Sequence, residues 1–316
     1  MSSVLKISDL EVDFQVNGEV KNSPLRGINL EVKAGKTLGI VGETGCGKTL
    51  TAMAIMGLLP SSAVQRGCIE FAEHGQVQPA DMAKIRGDEI AMIFQNPQSA
   101  FNPIFTIGEQ LKMVAQRRNI ARNYIQALLV SRLTSVGLGD TKRILSAYPH
   151  EVSGGMLQRA MIAMSLLSTP KLLIADEPTT ALDATIGDQV LTLIRTLQLA
   201  EGFAMLFISH DVSAVAKTSD EIAVVYAGKV VETGPTTIVM KNPKHPYTQG
   251  LLGAIPSGDK PRGSLIAIGG TVPSNLTGLT GCSFAERCPL RVQQCEQEPP
   301  MVRVNEQNVA CWKATQ

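Results

Sequence analysis

Two short stretches of this chain carry residue types spaced for phosphate chemistry. The first is Gly42-Glu43-Thr44-Gly45-Cys46-Gly47-Lys48-Thr49, which follows the pattern G-x-x-x-x-G-K-T. Its glycines let the backbone curl until successive N–H groups face inward on phosphate oxygens. A helix opening at its end adds a positive N-terminus. Lys48 is then placed to reach β- and γ-phosphates, and Thr49 to offer a hydroxyl to Mg2+. The second stretch is LLIADE, residues 172–177, in which four apolar residues deliver Asp176 and Glu177 to the carboxyl end of a strand. Asp176 suits Mg2+, held directly or through water, and Glu177 suits orienting or deprotonating an attacking water. Alone, the first could be a glycine-rich turn and the second a solvated acidic pair. In one chain they read as two halves of a nucleotide-hydrolysing site.

A third constellation is Cys282, Cys288, Cys295 and Cys311, spaced C-x5-C-x6-C-x15-C. Structural zinc is usually held by pairs two to four residues apart, and no such pair occurs here. Iron–sulfur clusters also take four thiolates and tolerate longer separations, and Cys288 is followed by Pro289 as some cluster cysteines are. Unmetallated thiols are the third reading. Cys46 carries two readings as well. A helix N-terminus and Lys48 two residues away would lower its pKa, or the position simply takes any small residue. Cys68, in CIEF, is expected in the core.

These residues need elements to hold them. TLGIVG (37–42), IAMIF (90–94), KLLIADE (171–177) and FAMLFISH (203–210) are short apolar runs suited to strands buried on both faces. Helical spacing follows the phosphate loop in LTAMAIMGLL, which Pro60 stops, and recurs over residues 106–137. Strands alternating with helices predict an α/β fold, a phosphate-loop nucleotide-binding domain with a mostly parallel sheet. LKISDLEVDFQVN (4–16) and GINLEVKAG alternate apolar and polar, which predicts half-buried strands at the N-terminus. Beyond about residue 235 the chain turns rich in proline and glycine (NPKHPYTQGLLGAIPSGDKPRG), with one short helical segment.

The 316 residues allow two domains, and 44% apolar against 18% charged residues supports a packed core. A net charge of +1 argues against general attraction to nucleic acid or anionic lipid. No signal peptide and no run of ~18 apolar residues is found, so a cytosolic chain is expected. Disulfides are rare in the cytosol, which turns the clustered cysteines towards metal.

The remaining motifs narrow the class. Gln95 closes IAMIF, VSGGM (152–156) precedes a helix, TALD (180–183) follows Glu177, and SHD (209–211) closes FAMLFISH. This order resembles the ATP-binding subunits of ABC transporters over about residues 4–235. IFQNPQSAFNPIFTIGEQ and NPKHPYTQGLLGAIP resemble the dipeptide/oligopeptide/nickel uptake group in particular. The resemblance implies an ABC-type ATP-binding domain over 1–235, with an antiparallel N-terminal β subdomain and a helical subdomain at about 96–165. A small C-terminal extension over 236–316 would follow, carrying the four cysteines. The implied activity is ATP hydrolysis coupled to uptake of peptides or a related small solute.

By the same resemblance Phe14 stacks on adenine, although an aromatic in an alternating strand is as readily core. Gln95 senses Mg2+ and γ-phosphate, Asp183 faces a dimer interface, and His210 contacts the γ-phosphate. Ser153, Gly154 and Gly155 cover a nucleotide held by the other subunit. Val152 and Met156 depart from the family's usual Leu and Gln around that core. The implied partners are a second, homologous ATPase subunit in a heterodimer, two transmembrane permease subunits, and an extracytoplasmic solute-binding protein. The place is the cytoplasmic face of the bacterial inner membrane. PQSAFNPIF, with exposed-looking Phe101 and Phe105, is the expected permease socket within residues 96–150. The resembled subunits carry a C-terminal cysteine set with a 4Fe-4S cluster, which places the cluster ahead of zinc here, with a structural first role. The alternative is a soluble ABC-type ATPase acting on nucleic acid or ribosomes. Such proteins carry coiled-coil insertions or fused cassettes, which this chain lacks. A nucleotide-gated scaffold without turnover is a further rival, which the intact Glu177 and His210 argue against.

Overall fold

A computed structural model describes residues 2–117, 120–255 and 268–314. Residues 118–119 of the expected helical stretch lie outside the described residues, as do 256–267 and 315–316 of the expected C-terminal extension. The chain divides into two compact units, Met1–Met82 with Phe207–Gln316, and Ala83–Leu206. The strands in chain order are β1 (Ser3–Val16), β2 (Glu19–Lys33), β3 (Thr37–Val41), β4 (Ala63–Phe71), β5 (Ile90–Ile93), β6 (Leu172–Asp176), β7 (Ala204–Ser209), β8 (Glu221–Tyr226), β9 (Lys229–Pro235), β10 (Val302–Val304) and β11 (Gln307–Val309).

In the first unit β1 and β2 form a long antiparallel hairpin, with β4 on the other edge of β1. Asn17 and Gly18 turn it, with φ of 53° and 81°. Two left-handed residues in a two-residue loop match the twist of the flanking strands. Leu5, Ile7, Leu10 and Val12 of β1 and Leu25, Ile28, Leu30 and Val32 of β2 are buried. Beside this sheet in sequence, β3 pairs parallel with β8, and β8 pairs antiparallel with β9. Ala227 and Gly228 make that second turn, again both left-handed. The chain's last strands continue the sheet, β11 pairing with β9 and β10 with β11.

The C-terminal segment thus shares the first unit's core. Phe284 is 2% exposed and meets Tyr226 and Tyr247 with ring centroids 5.2 and 5.3 Å away, while Tyr226 and Tyr247 are 4.7 Å apart. Such aromatic pairs contribute about 0.5–1.5 kcal/mol each beyond the area they bury. Asn22 of β2 donates to the Ser274 carbonyl and accepts from the Leu276 N–H, and Arg26 donates to Ser283 Oγ.

His245 anchors this region as a neutral ring. It is 1% exposed, and its Nδ1 accepts the Tyr247 N–H at 3.1 Å, capping the helix Pro246–Gly253. Burial pushes its pKa down from 6.5 to about 4. The carboxylate of Glu232 accepts the backbone N–H groups of Lys244 and His245, and burial pushes its own pKa up. As pH falls from 6.5 towards 4, the unfolded chain protonates this histidine and the folded chain does not. Stability therefore drops on acidification, by about 3 kcal/mol from this residue alone. Denaturant titration across that window should show a shallower loss for His245→Asn, whose amide oxygen can keep the cap. Equal slopes in the two proteins would overturn this.

In the second unit β5 and β6 pair parallel and every residue of both is buried. The strand order there is β7-β6-β5, β7 beginning in this unit. Helices Ile107–Arg117 and Arg122–Ser135 fall where the 106–137 periodicity places them. Helix Gly154–Leu166 buries Leu157, Met161, Ile162 and Leu166, and its Ser165 hydroxyl donates to the Met92 carbonyl of β5. Among the described residues no helix is long and apolar enough to cross a membrane.

Candidate functional site: a phosphate loop and an acidic strand end

The phosphate loop leaves β3 at Gly42 and enters the helix Lys48–Ile55. Packing requires glycine at position 42, where a Cβ would lie 2.2 Å from the Val225 carbonyl, whereas at Gly47 the backbone conformation is the constraint. Gly47 caps the helix at φ 101°, a backbone that L side chains rarely adopt. The Gly228 N–H donates to the Cys46 carbonyl and so fastens the loop to the β8–β9 turn. Lys48 is 5% exposed, and its Nζ donates to the Gly42 and Glu43 carbonyls at 2.8 and 3.0 Å. Thr44, Gly45 and Thr49 are exposed along the loop. The arrangement offers backbone N–H groups, a helix N-terminus and one ammonium, a set built for phosphate oxygens.

Cys46 is not an activated thiol. It is fully buried, with Sγ 3.8 Å from Lys48 Nζ, and burial pushes its pKa up against the lowering effect of the lysine. Cys68 departs from expectation in the other direction, lying half-buried on β4 rather than in the core.

The acidic half belongs to the second unit. Asp176 ends β6 and is 2% exposed. Glu177 follows at φ 47°, a left-handed backbone that costs a residue with a Cβ about 1–3 kcal/mol and concentrates at functional sites. Its Oε2 accepts from Gln95 Nε2 at 3.0 Å and from the Thr180 hydroxyl at 2.8 Å. Gln95 and Glu177, 82 residues apart, are thereby brought together. Thr180, the first residue of TALD, joins the site through this bond, and its place three residues after Glu177 is the local signal for it.

Ser153 caps the helix Gly154–Leu166 by accepting the Met156 N–H at 3.3 Å. Gly154 is exposed, and a Cβ on Gly155 would meet Ile186 Cγ2 at 2.8 Å. Asp183 caps the helix Ala184–Glu201, accepting from the Ile186 N–H. His210, in the first unit, is exposed beside Asp211, which caps the helix Val212–Thr218. Phe14 is half-exposed on β1, opposite Asn22 on one side and Ala63 on the other, and is not part of the core.

The expected socket changes composition. Phe101 is 3% exposed and packs inward, Phe105 is partly buried, and the exposed apolar side chain of that loop is Ile104, at 72%. Phe94, read as the end of a buried strand, is 41% exposed. Both differences arise because the strand β5 stops at Ile93 and Asn96 turns the chain, its side chain accepting from the Gln98 N–H.

The four C-terminal cysteines are all free thiols. The Cys282 N–H donates to the Cys295 carbonyl at 2.9 Å. Burial pushes the Cys282 thiol up to about 11, helped by the charges of Cys295, Cys311 and Cys288. Cys288 and Cys311 are raised by burial and by neighbouring cysteines too. Four thiols close enough to feel one another are a suitable donor set. Their present arrangement is not a ligand cage. Among the described residues no group of three or more His, Cys, Asp or Glu side chains is placed to hold a metal ion. The iron–sulfur and zinc expectations gain no support from this geometry.

Comparison with known proteins places the chain. Residues 25–180 match the ABC transporter family, and residues 231–295 match the oligopeptide/dipeptide transporter C-terminal region. The dipeptide transport ATP-binding protein DppD of Bacillus subtilis is 41% identical, over 99% of this chain and 95% of its own length. The oligopeptide transport ATP-binding protein OppD of Haemophilus influenzae is 40% identical, over 99% and 98%. Among solved structures, the dimeric ATP-binding cassette MJ0796 bound to ADP and Pi superposes with a TM-score of 0.64 at 23% identity, covering 73% of this chain and 98% of that one. CbiO1 of Clostridium perfringens, part of an ABC transporter complex, gives 0.64 at 23%, covering 77% and 92%. With relatives at 40% identity or more along nearly the whole chain and the fold in common, this chain is a member of the ABC transporter family, an ATPase of the branch that ends in the oligopeptide/dipeptide transporter C-terminal region.

Proposed function

We propose that this chain is the ATP-hydrolysing subunit of a membrane importer for peptides or a related small solute. The observation that carries the reading is the phosphate loop with its buried Lys48, in a chain matched along its whole length by peptide-transport ATP-binding proteins. Those relatives also displace the nucleic-acid and ribosome alternative. Lys48, Gly42–Thr49 and the helix behind them bind the triphosphate, and Phe14 lies against the adenine. Thr49, Asp176 and Gln95 hold Mg2+, which when bound neutralises charge on the phosphate oxygens. Glu177 orients and deprotonates the attacking water, and His210 meets the γ-phosphate. Gln95 and Thr180 hold the Glu177 carboxylate in one rotamer, which favours preorganisation over search.

A second, homologous ATPase subunit supplies Ser153-, Gly154- and Gly155-like groups over this nucleotide, while this chain's own cover the partner's, with Asp183 at the joint. Closing and reopening of that pair is the two-state element that moves two permease subunits. The permease side falls on residues 96–150, and exposed Ile104 supports a contact there. An extracytoplasmic solute-binding protein supplies the substrate, and the chain sits peripherally on the cytoplasmic face of the bacterial inner membrane. The domain division we favour is 1–235 for ATP binding, with a helical part at about 96–165, and 236–316 as the extension. Co-purification with two hydrophobic chains, and MgATP-dependent phosphate release by that assembly, tests the proposal. Isolation with ribosomes or DNA instead would overturn it.

The cysteines are the finer part of the reading. Their support is donor chemistry. A cation would relieve the burial and mutual repulsion that raise three of these thiols. A 4Fe-4S cluster predicts about four iron and four sulfide per chain after anaerobic purification. Zinc or no metal in that analysis would overturn the cluster.

A further inference from the structure

Glu43 occupies an awkward position. It is the second residue of a loop that must attract anions, and its carboxylate would repel them. All three of its polar groups are nevertheless tied. Its N–H donates to the Tyr247 hydroxyl at 2.8 Å, its carbonyl accepts from Lys48, and its carboxylate meets the guanidinium of Arg287 in a two-pronged pair at 3.0 and 3.1 Å. Arg287 is itself 8% exposed at the side chain and fully engaged. Its Nε donates to the Gly269 carbonyl at 2.7 Å, a second prong reaches Gly270, and Nη1 also reaches the Tyr226 hydroxyl at 3.3 Å. The guanidinium lies over the Tyr226 and Phe284 rings. A planar fork locked on every side is a fixed counter-charge, unlike a flexible surface lysine. Arg287 directly precedes Cys288, so the cysteine-bearing segment reaches the phosphate loop through it.

We propose that Arg287 is a positioning residue for nucleotide binding, which draws the Glu43 carboxylate out of the phosphate loop and cancels its charge. The proposal rests on reading residues 42–49 as the MgATP loop. It predicts that Arg287→Met weakens MgATP binding to the full chain by roughly tenfold at low salt, and less at high salt, where the freed carboxylate is screened. Adding Glu43→Gln to Arg287→Met should bring affinity back to within about twofold of wild type. Arg287→Lys, which keeps charge and loses the fork, should fall between, and it carries the test if Arg287→Met does not fold. A purely structural role for Arg287 would give a loss that neither salt nor Glu43→Gln repairs, and that result overturns the proposal. So does wild-type affinity in Arg287→Met, or in Arg287→Lys where that variant carries the test. Lys48→Ala in the same titration separates the two readings. If it binds MgATP normally the loop reading itself fails. If it loses binding while Arg287→Met keeps it, only the role of Arg287 fails.

Discussion

Glu177→Gln should bring steady-state phosphate release by the assembled complex down by roughly two to four orders of magnitude, with MgATP still bound. The substitution is nearly isosteric. An amide oxygen at residue 177 can still accept from Gln95 and Thr180, so the rotamer and the neighbouring structure persist. The left-handed backbone at φ 47° is no harder for glutamine than for glutamate. What disappears is the negative charge and basicity offered to water. The fall should therefore appear in kcat, not in folding stability or nucleotide affinity. Turnover near the wild-type rate would remove Glu177 from the chemistry and leave its strained backbone without the role argued for it.

The second large effect is expected from Lys48→Ala. The ammonium is buried among the loop's own carbonyls, so its loss removes a charge-assisted contact to phosphate and the tie between Nζ and the Gly42 and Glu43 carbonyls. Loss of hydrogen bonds to a charged group of this kind costs about 3 kcal/mol, which is roughly two orders of magnitude in MgATP affinity. Lys48→Arg should recover little, because a planar guanidinium does not fit a space shaped for a compact ammonium. Equilibrium titration with MgATP reads both variants. Affinity within a few-fold of wild type in Lys48→Ala would overturn the reading of residues 42–49 as the MgATP loop.

The parts of the site that local pattern announces are those whose chemistry needs a fixed spacing. A curled backbone followed by a lysine must be contiguous, so residues 42–49 are visible at once. Asp176 and Glu177 are equally visible, because a buried strand of LLIA can end only where its apolar run ends. Gln95 was placed by family resemblance, and its bond to Glu177 follows from the pairing of β5 with β6. The core strands were legible from apolar runs, and β1 from alternation. The Asn17-Gly18 pair between two alternating runs is itself a strong short-range hairpin signal, and the structure turns there. Phe101 misled because turn residues around an aromatic suggest exposure, whereas the chain bends after Asn96 and buries it. The burial of Cys46 and the clamp of Arg287 on Glu43 had no local signature. Each depends on residues brought in from β8, helix Pro246–Gly253 and the C-terminal segment, and long-range packing of this sort leaves no period in the sequence.

The pairing of β11 with β9 has a consequence for biosynthesis. Residues 307–309 are synthesised some 75 residues after the strand whose open hydrogen-bonding edge they cover. Until they emerge, β9 is a bare sheet edge, the kind of surface on which chains join to one another. A nascent or prematurely stopped chain would contain the complete phosphate loop and acidic strand while lacking this cover. A chain stopped before residue 307 is therefore expected to be less soluble than one that carries the β10–β11 hairpin.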